Sequence, residues 1–158
     1  MNYIIREIRK SEYAILEDFL YEAIFIPEGV DAPPKSIILN DELRVYIKDF
    51  GDKKDDKCFV AESDGKVVGA IWVRIMNDYG NVDADTPSFA ISLYKDFRGY
   101  GIGTMLMKQM LEYLKIAGHK KCSLAVQKEN YAVRMYLNVG FEIIDENEQE
   151  YIMVCQLN

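Results

Sequence analysis

Between Arg98 and Thr104 the chain reads Arg-Gly-Tyr-Gly-Ile-Gly-Thr, three glycines at alternate positions just ahead of a segment with helical apolar spacing. Glycines let a backbone approach a ligand closely, and successive N–H groups at the positive end of a helix attract phosphate. A diphosphate is the natural guest of such a turn. Glycines also serve tight turning and close packing, so the run carries weight only in context. A dinucleotide fingerprint needs Gly-x-Gly-x-x-Gly right after a strand; here the third glycine comes one residue early and several residues intervene. A P-loop needs Gly-Lys-Ser/Thr, and Gly103 is followed by Thr104 with no lysine. Both competing nucleotide loops are weakened.

Other reactive side chains are sparse. Cys58, Cys122 and Cys155 are far apart and lack zinc-ligand spacing, and His119 is the one histidine; neither a zinc site nor a histidine-based triad is expected. Cys122 and Cys155 lie in apolar, strand-like runs and read as small buried hydrophobes. Arg74 shares a strand face with Ala70, Trp72 and Met76, so it either points into a cleft toward an anion or lies exposed. Asp83 and Asp85 sit in a polar loop, solvated or acting through water.

The net charge of −7 repels nucleic acid and weakly favours cationic partners, though solubility is its simpler explanation. No stretch approaches the roughly 20 apolar residues of a membrane span, and the start lacks a signal-peptide plan. A soluble, cytoplasmic protein is expected. Its 158 residues suffice for one buried core, so one domain over 1–158 is expected.

These residues must be positioned by elements that the pattern outlines. Tyr3 to Arg9 alternates as a strand, Ser11 stands at a helix N-cap position, and Tyr13, Leu16, Leu20, Ala23 and Ile24 recur at helical spacing up to Pro27. Residues 27–34 are proline-rich and irregular. Leu43, Tyr46, Ile47 and Phe50 mark a short helix that Gly51 ends, and the run Asp52 to Asp56 reads as a solvated loop. Cys58–Ser63 and Lys66–Met76 form a hairpin around Asp64-Gly65, a pair suited to a type I′ turn. The strand Phe89–Tyr94 leads into the glycine cluster. From Gly101 a helix with Ile102, Met105, Leu106, Met110 and Leu114 on one side runs toward Gly118. Ser123–Val126 is a strand, Asn130 caps a helix through Val139, and strands centred on Ile143 and Met153 close the chain. The order β α α β β β α β α β β is mixed α/β, with an antiparallel part and a parallel centre.

On these residues the chain resembles the GNAT superfamily, the Gcn5-related N-acetyltransferases. Arg98, Gly99, Tyr100, Gly101, Ile102 and Gly103 satisfy the signature of Arg or Gln, two residues, Gly, one residue, then Gly or Ala. Asn130, Ala132, Tyr136, Gly140 and Phe141 match a second, downstream signature. The resemblance implies the acyl-CoA N-acyltransferase fold, a twisted mixed sheet of about six or seven strands flanked by about four helices, splayed into a V that holds acetyl-CoA. It implies that backbone groups of Ile91, Ser92 and Leu93 pair with the pantetheine arm. Amides from Arg98 through Thr104 would hold the pyrophosphate, and Asn130 would bond the cofactor arm or serve as a helix cap.

The activity implied is transfer of acetyl from acetyl-CoA to a primary amine of a small molecule or peptide, by direct attack in a ternary complex and without metal. Tyr136 matches the family's general acid, and an amide near Leu93 would polarise the thioester carbonyl. The alternative is a non-catalytic acyl-CoA-binding sensor. Glutamates common in the family are absent, with Ser88 and Phe89 at one position and Ala125 at another. Neither nucleic acid nor membrane is expected as a partner, and the molecule would be a monomer or homodimer.

Overall fold

The computed structural model describes residues 2–78 and 80–157. Seven strands form one sheet in the order β1-β2-β3-β4-β5-β7-β6. The strands are β1 (Ile4–Glu7), β2 (Lys57–Ser63), β3 (Lys66–Arg74), β4 (Ser88–Leu93), β5 (Lys121–Gln127), β6 (Phe141–Glu146) and β7 (Glu150–Gln156). The α-helices are α1 (Leu16–Glu22), α2 (Asp41–Arg44), α3 (Ile102–Ile116) and α4 (Ala132–Val139), so the expected element order is the observed one. Every neighbouring pair is antiparallel except β4 and β5. The α3 crossover between those two explains the exception, because parallel neighbours need a long connection.

Each sheet face carries its own core. On one face, Phe19 and Leu20 of α1, with Ile38, Ile47 and Phe50, pack on Val60, Ala70 and Trp72. Opposite, Ile102, Leu106, Met110 and Leu114 of α3 pack on Phe59, Ile71, Val73 and Phe89, and α4 adds Tyr136. Strand alternation does this sorting: Ala70 and Trp72 look one way, Ile71 and Val73 the other. In the β2–β3 turn Asp64 and Gly65 have φ of 50° and 78°, the two positive values that a type I′ turn requires.

Four local expectations need correction, the first being α2, which ends at Arg44 rather than running on to Gly51. Arg9, not Ser11, precedes the first helical turn as its cap residue, and the Glu12 carboxylate accepts the Arg9 N–H at 2.9 Å. Residues 10–15 wind as a tighter 3₁₀ turn before α1 begins. The polar run 52–56 is not wholly solvated, because the Asp56 side chain is completely buried. β3 stops at Arg74 rather than Met76. Among the described residues no helix is long and apolar enough to cross a membrane.

Candidate functional site

The sheet opens at its parallel pair. β4 and β5 bridge at Ser88↔Ser123, where the Ser123 N–H donates to the Pro87 carbonyl at 3.0 Å, and farther along they no longer pair. β4 stays paired with β3 throughout, from Arg74↔Ser88 to Gly69↔Leu93. Backbone groups alternate sides along a strand. Pro87 points its carbonyl at β5, and Tyr94 points its N–H at Val68 of β3, 3.0 Å away. The N–H and C=O of Phe89, Ile91 and Leu93 therefore face the fork. Ser92 differs from its neighbours: its backbone is directed at β3 and its hydroxyl donates to the Phe19 carbonyl of α1 at 2.6 Å.

The glycine turn forms one lip of this fork. Gly99 and Gly101 hold φ of 85° and 84°, and a Cβ on either would meet no atom within 4 Å. Their need for glycine is conformational, and the space above them is open. Gly103 differs, since its Cβ position lies 3.5 Å from Met135 Sδ, so it serves the packing of α3 on α4. The amides of Gly99 through Thr104 find no acceptor among the described residues, and no side chain caps α3. These free donors, gathered at the start of a 15-residue helix, fit a pyrophosphate. Arg98, expected to open the run of free amides, instead donates its N–H to the Lys95 carbonyl at 3.2 Å and braces the turn: its Nε donates to the Leu93 carbonyl at 2.9 Å and its guanidinium reaches the Glu22 carbonyl at 3.4 Å. Tyr100 is exposed, whereas Ile102 is buried beneath α3.

Across the fork stand Asn130 and Tyr136. The Asn130 carbonyl oxygen Oδ1 accepts the Ala132 N–H at 2.9 Å, a capping bond that leaves its side-chain NH₂ free. Tyr136 is 7% exposed, edge-on to Phe89 and Phe141 at 6.0 and 5.9 Å between ring centres. Burial, with a smaller contribution from Tyr131, raises its phenol above the ordinary range, so it stays protonated at neutral pH. Its hydroxyl has no hydrogen-bond partner among the described residues and remains available as a donor.

Several charged residues resolve differently from expectation. Arg74 neither enters a cleft nor lies exposed. It is 3% accessible, pairs with both oxygens of Asp56 at 3.1 and 3.0 Å, and donates to the carbonyls of Val45 and Lys48. Its role is to tie β3 to the segment after α2. Asp83 accepts from Thr86 Oγ1 and the Asp85 N–H and pairs with Lys121, and these contacts, the Thr86 bond foremost, lower its pKa to about 2. A carboxylate so stabilised is a poor proton acceptor. The three cysteines are free and buried, with burial raising each thiol, so none is poised as a nucleophile.

Two carboxylates with no signal in the sequence emerge. Asp56 is the buried partner of Arg74. Asp78, in the β3–β4 loop, accepts the Ser88 hydroxyl at 2.8 Å on Oδ1, while its Oδ2 is buried and has no hydrogen-bond partner among the described residues. Both pairings join residues of different strands or loops, which no local pattern encodes.

With this geometry in hand, the chain can be set beside known proteins. The model of the acetyltransferase (GNAT) family matches residues 18–141. The chain belongs to the GNAT family. An uncharacterised N-acetyltransferase of Methanocaldococcus jannaschii is 32% identical over 144 residues, covering 89% of this chain and 61% of the relative. An N-alpha-acetyltransferase of Sulfurisphaera tokodaii is 29% identical over 115 residues, 63% of this chain and 68% of the relative. The GNAT chain thus spans about three fifths of the Methanocaldococcus protein. Among solved structures, the PaiA N-acetyltransferase of Thermoplasma acidophilum in complex with coenzyme A superposes with a TM-score of 0.72 at 19% identity, covering 99% of both chains. The fold is therefore that of the GNAT acetyltransferases.

Proposed function

We propose that this protein transfers the acetyl group of acetyl-CoA to a primary amine of a small molecule or peptide, by direct attack in a ternary complex. The observation that carries the reading is the fork itself. One lip presents unbonded amides at a helix start, and the other presents an unpartnered, protonated tyrosine.

In this reading acetyl-CoA supplies the thioester, and the residues around the fork do the rest. Amides of Gly99 to Thr104 bind the pyrophosphate, and backbone groups of Ile91 and Leu93 pair with the extended arm as an added strand would. Ser92, pointed at β3, instead anchors α1 over the site. The Leu93 N–H faces the opening, where it can polarise the thioester carbonyl. Asn130 offers its side-chain NH₂ to the arm. Tyr136, protonated at neutral pH, donates its proton to the sulfur as the thiolate departs. That the matched family and its relatives are N-acetyltransferases supports the amine as acceptor.

The reading is tested by incubating purified protein with acetyl-CoA and a panel of primary amines: a polyamine, free amino acids, and peptides with a free N-terminus or a lysine. Thiol release, with mass spectrometry of the products, is expected for at least one acceptor. Binding of acetyl-CoA without release toward any amine would overturn the enzyme reading in favour of an acyl-CoA sensor.

A further inference from the structure

A primary alkylamine is protonated at neutral pH, with on the order of one molecule in a thousand carrying a free lone pair. The acetyltransferase reading therefore leaves one task undone, the removal of that proton. Neither strand at the fork brings a carboxylate to it: Ser88 and Phe89 open β4, and Ala125 stands on β5. Asp83 is already stabilised as an anion by Thr86 and Lys121.

The β3–β4 loop brings one instead. Its Gly80 lies flat on β5, where a Cβ would come within 2.9 Å of the Ala125 N and the Leu124 carbonyl carbon, and its carbonyl accepts the Ser123 hydroxyl at 2.6 Å. Two residues earlier, Asp78 accepts the Ser88 hydroxyl at 2.8 Å. The loop thus touches both strands at the vertex of the fork, Ser88 of β4 through the Asp78 carboxylate and β5 through Gly80.

We propose that Asp78, oriented by Ser88, is the proton acceptor that frees the amine for attack. The proposal rests on the acetyltransferase reading and adds to it the residue that reading lacks. Three observations carry it. First, Oδ2 of Asp78 is a buried carboxylate oxygen with no donor among the described residues, a standing cost that an ammonium N–H or a relaying water removes. Asp78 as a whole is half-buried, so its side chain borders the surface of the loop. Second, no cation pairs with it among the described residues. Arg74, directly opposite Ser88 in the ladder, is committed to Asp56, and Lys121 to Asp83.

Third, the acid and the base fall on consecutive residues of β4 and hence on opposite faces of the sheet. Phe89 touches the ring of Tyr136 on the α3 and α4 face, and Ser88 holds Asp78 on the α1 face. The amine is thereby deprotonated on one side of the sheet and the thiolate protonated on the other, so base and acid do not compete for one proton.

The protons balance. The ammonium gives one proton to Asp78, and its lone pair then forms the C–N bond as the C–S bond breaks with its electron pair on sulfur. Tyr136 protonates the sulfur and regains a proton from the new amide nitrogen through water. Asp78 returns its own proton to solvent.

The test compares wild type with Asp78→Asn and Ser88→Ala, using the most active amine of the panel and hydroxylamine, which is already largely unprotonated at neutral pH. Asp78→Asn is expected to lower kcat for the alkylamine about 100-fold, with a deficit that shrinks as rising pH deprotonates the amine in solution. Hydroxamate formation and acetyl-CoA affinity should stay within about twofold, and Ser88→Ala should show a smaller loss of the same kind. An unchanged kcat, a rise in KM alone, or an equal loss toward hydroxylamine would each overturn the role. A wild-type protein that forms no hydroxamate and binds no acetyl-CoA would overturn the acetyltransferase reading itself.

Discussion

Arg74 and Ser88 face each other across the β3–β4 ladder, and each holds an aspartate, yet the two aspartates could hardly be more differently placed. Asp56 accepts from Arg74 through both oxygens and from the amides of Gly51 and Lys53, so every lone pair that matters is used. Asp78 accepts one serine hydroxyl and leaves its second oxygen buried and bare. A buried charge with complete partners is structural, and one left incomplete is poised to take another. In the proposed reading this difference separates scaffold from site within a single pair of neighbouring strands.

The strongest way to break that contrast is to remove the carboxylate that is satisfied. Asp56→Ala strands the Arg74 guanidinium in the sheet face, and a loss of about 3–5 kcal/mol of stability is expected, read by urea unfolding. Asp78→Asn, by contrast, removes an unpaired charge, and its midpoint should match or slightly exceed wild type. Equal destabilisation by the two would erase the distinction.

Next in size is the other face of the fork. Tyr136→Phe keeps the ring against Phe89 and Phe141 and deletes only the donor, so turnover should fall about 100-fold with acetyl-CoA affinity nearly unchanged. A loss of affinity equal to the loss of turnover would make Tyr136 a packing residue. The smallest effect lies far from the fork, at Glu12, whose carboxylate is held by Arg6 and by the Arg9 amide. The Arg6 hydrogen bonds foremost lower its pKa to about 2. Because the folded value is depressed, this stabilisation is present above about pH 4.5 and is lost as pH falls toward 2. Glu12→Gln should cost about 1 kcal/mol or less near neutrality, and the difference from wild type should vanish in acid.

The same contrast explains what could be read from the sequence. Element order was legible because apolar periodicity, the Asp64-Gly65 turn and the stops at Gly118 and Gly140 are local signals. So was the glycine turn, whose Gly99 and Gly101 need positive φ wherever the chain goes next. The sheet order was not, since the insertion of β7 between β5 and β6 depends on pairing across the chain. Arg74 misled because an arginine in an apolar strand is ambiguous until Asp56, 18 residues away, is seen to neutralise it. Asp78 gave no sign at all: one aspartate in a polar loop looks like any other until Ser88 closes on it.

The proposed function stands or falls with diphosphate binding by the turn from Gly99 to Thr104. Calorimetric titration of the wild-type protein with acetyl-CoA and with S-acetylpantetheine, which lacks the nucleotide and diphosphate, tests it most directly, with Gly101→Glu titrated alongside. Clear acetyl-CoA binding is expected, with a loss of at least 100-fold (about 2.7 kcal/mol) for acetylpantetheine and no measurable acetyl-CoA binding by Gly101→Glu. Equal affinity for the two ligands, or undiminished binding by the variant, would contradict it.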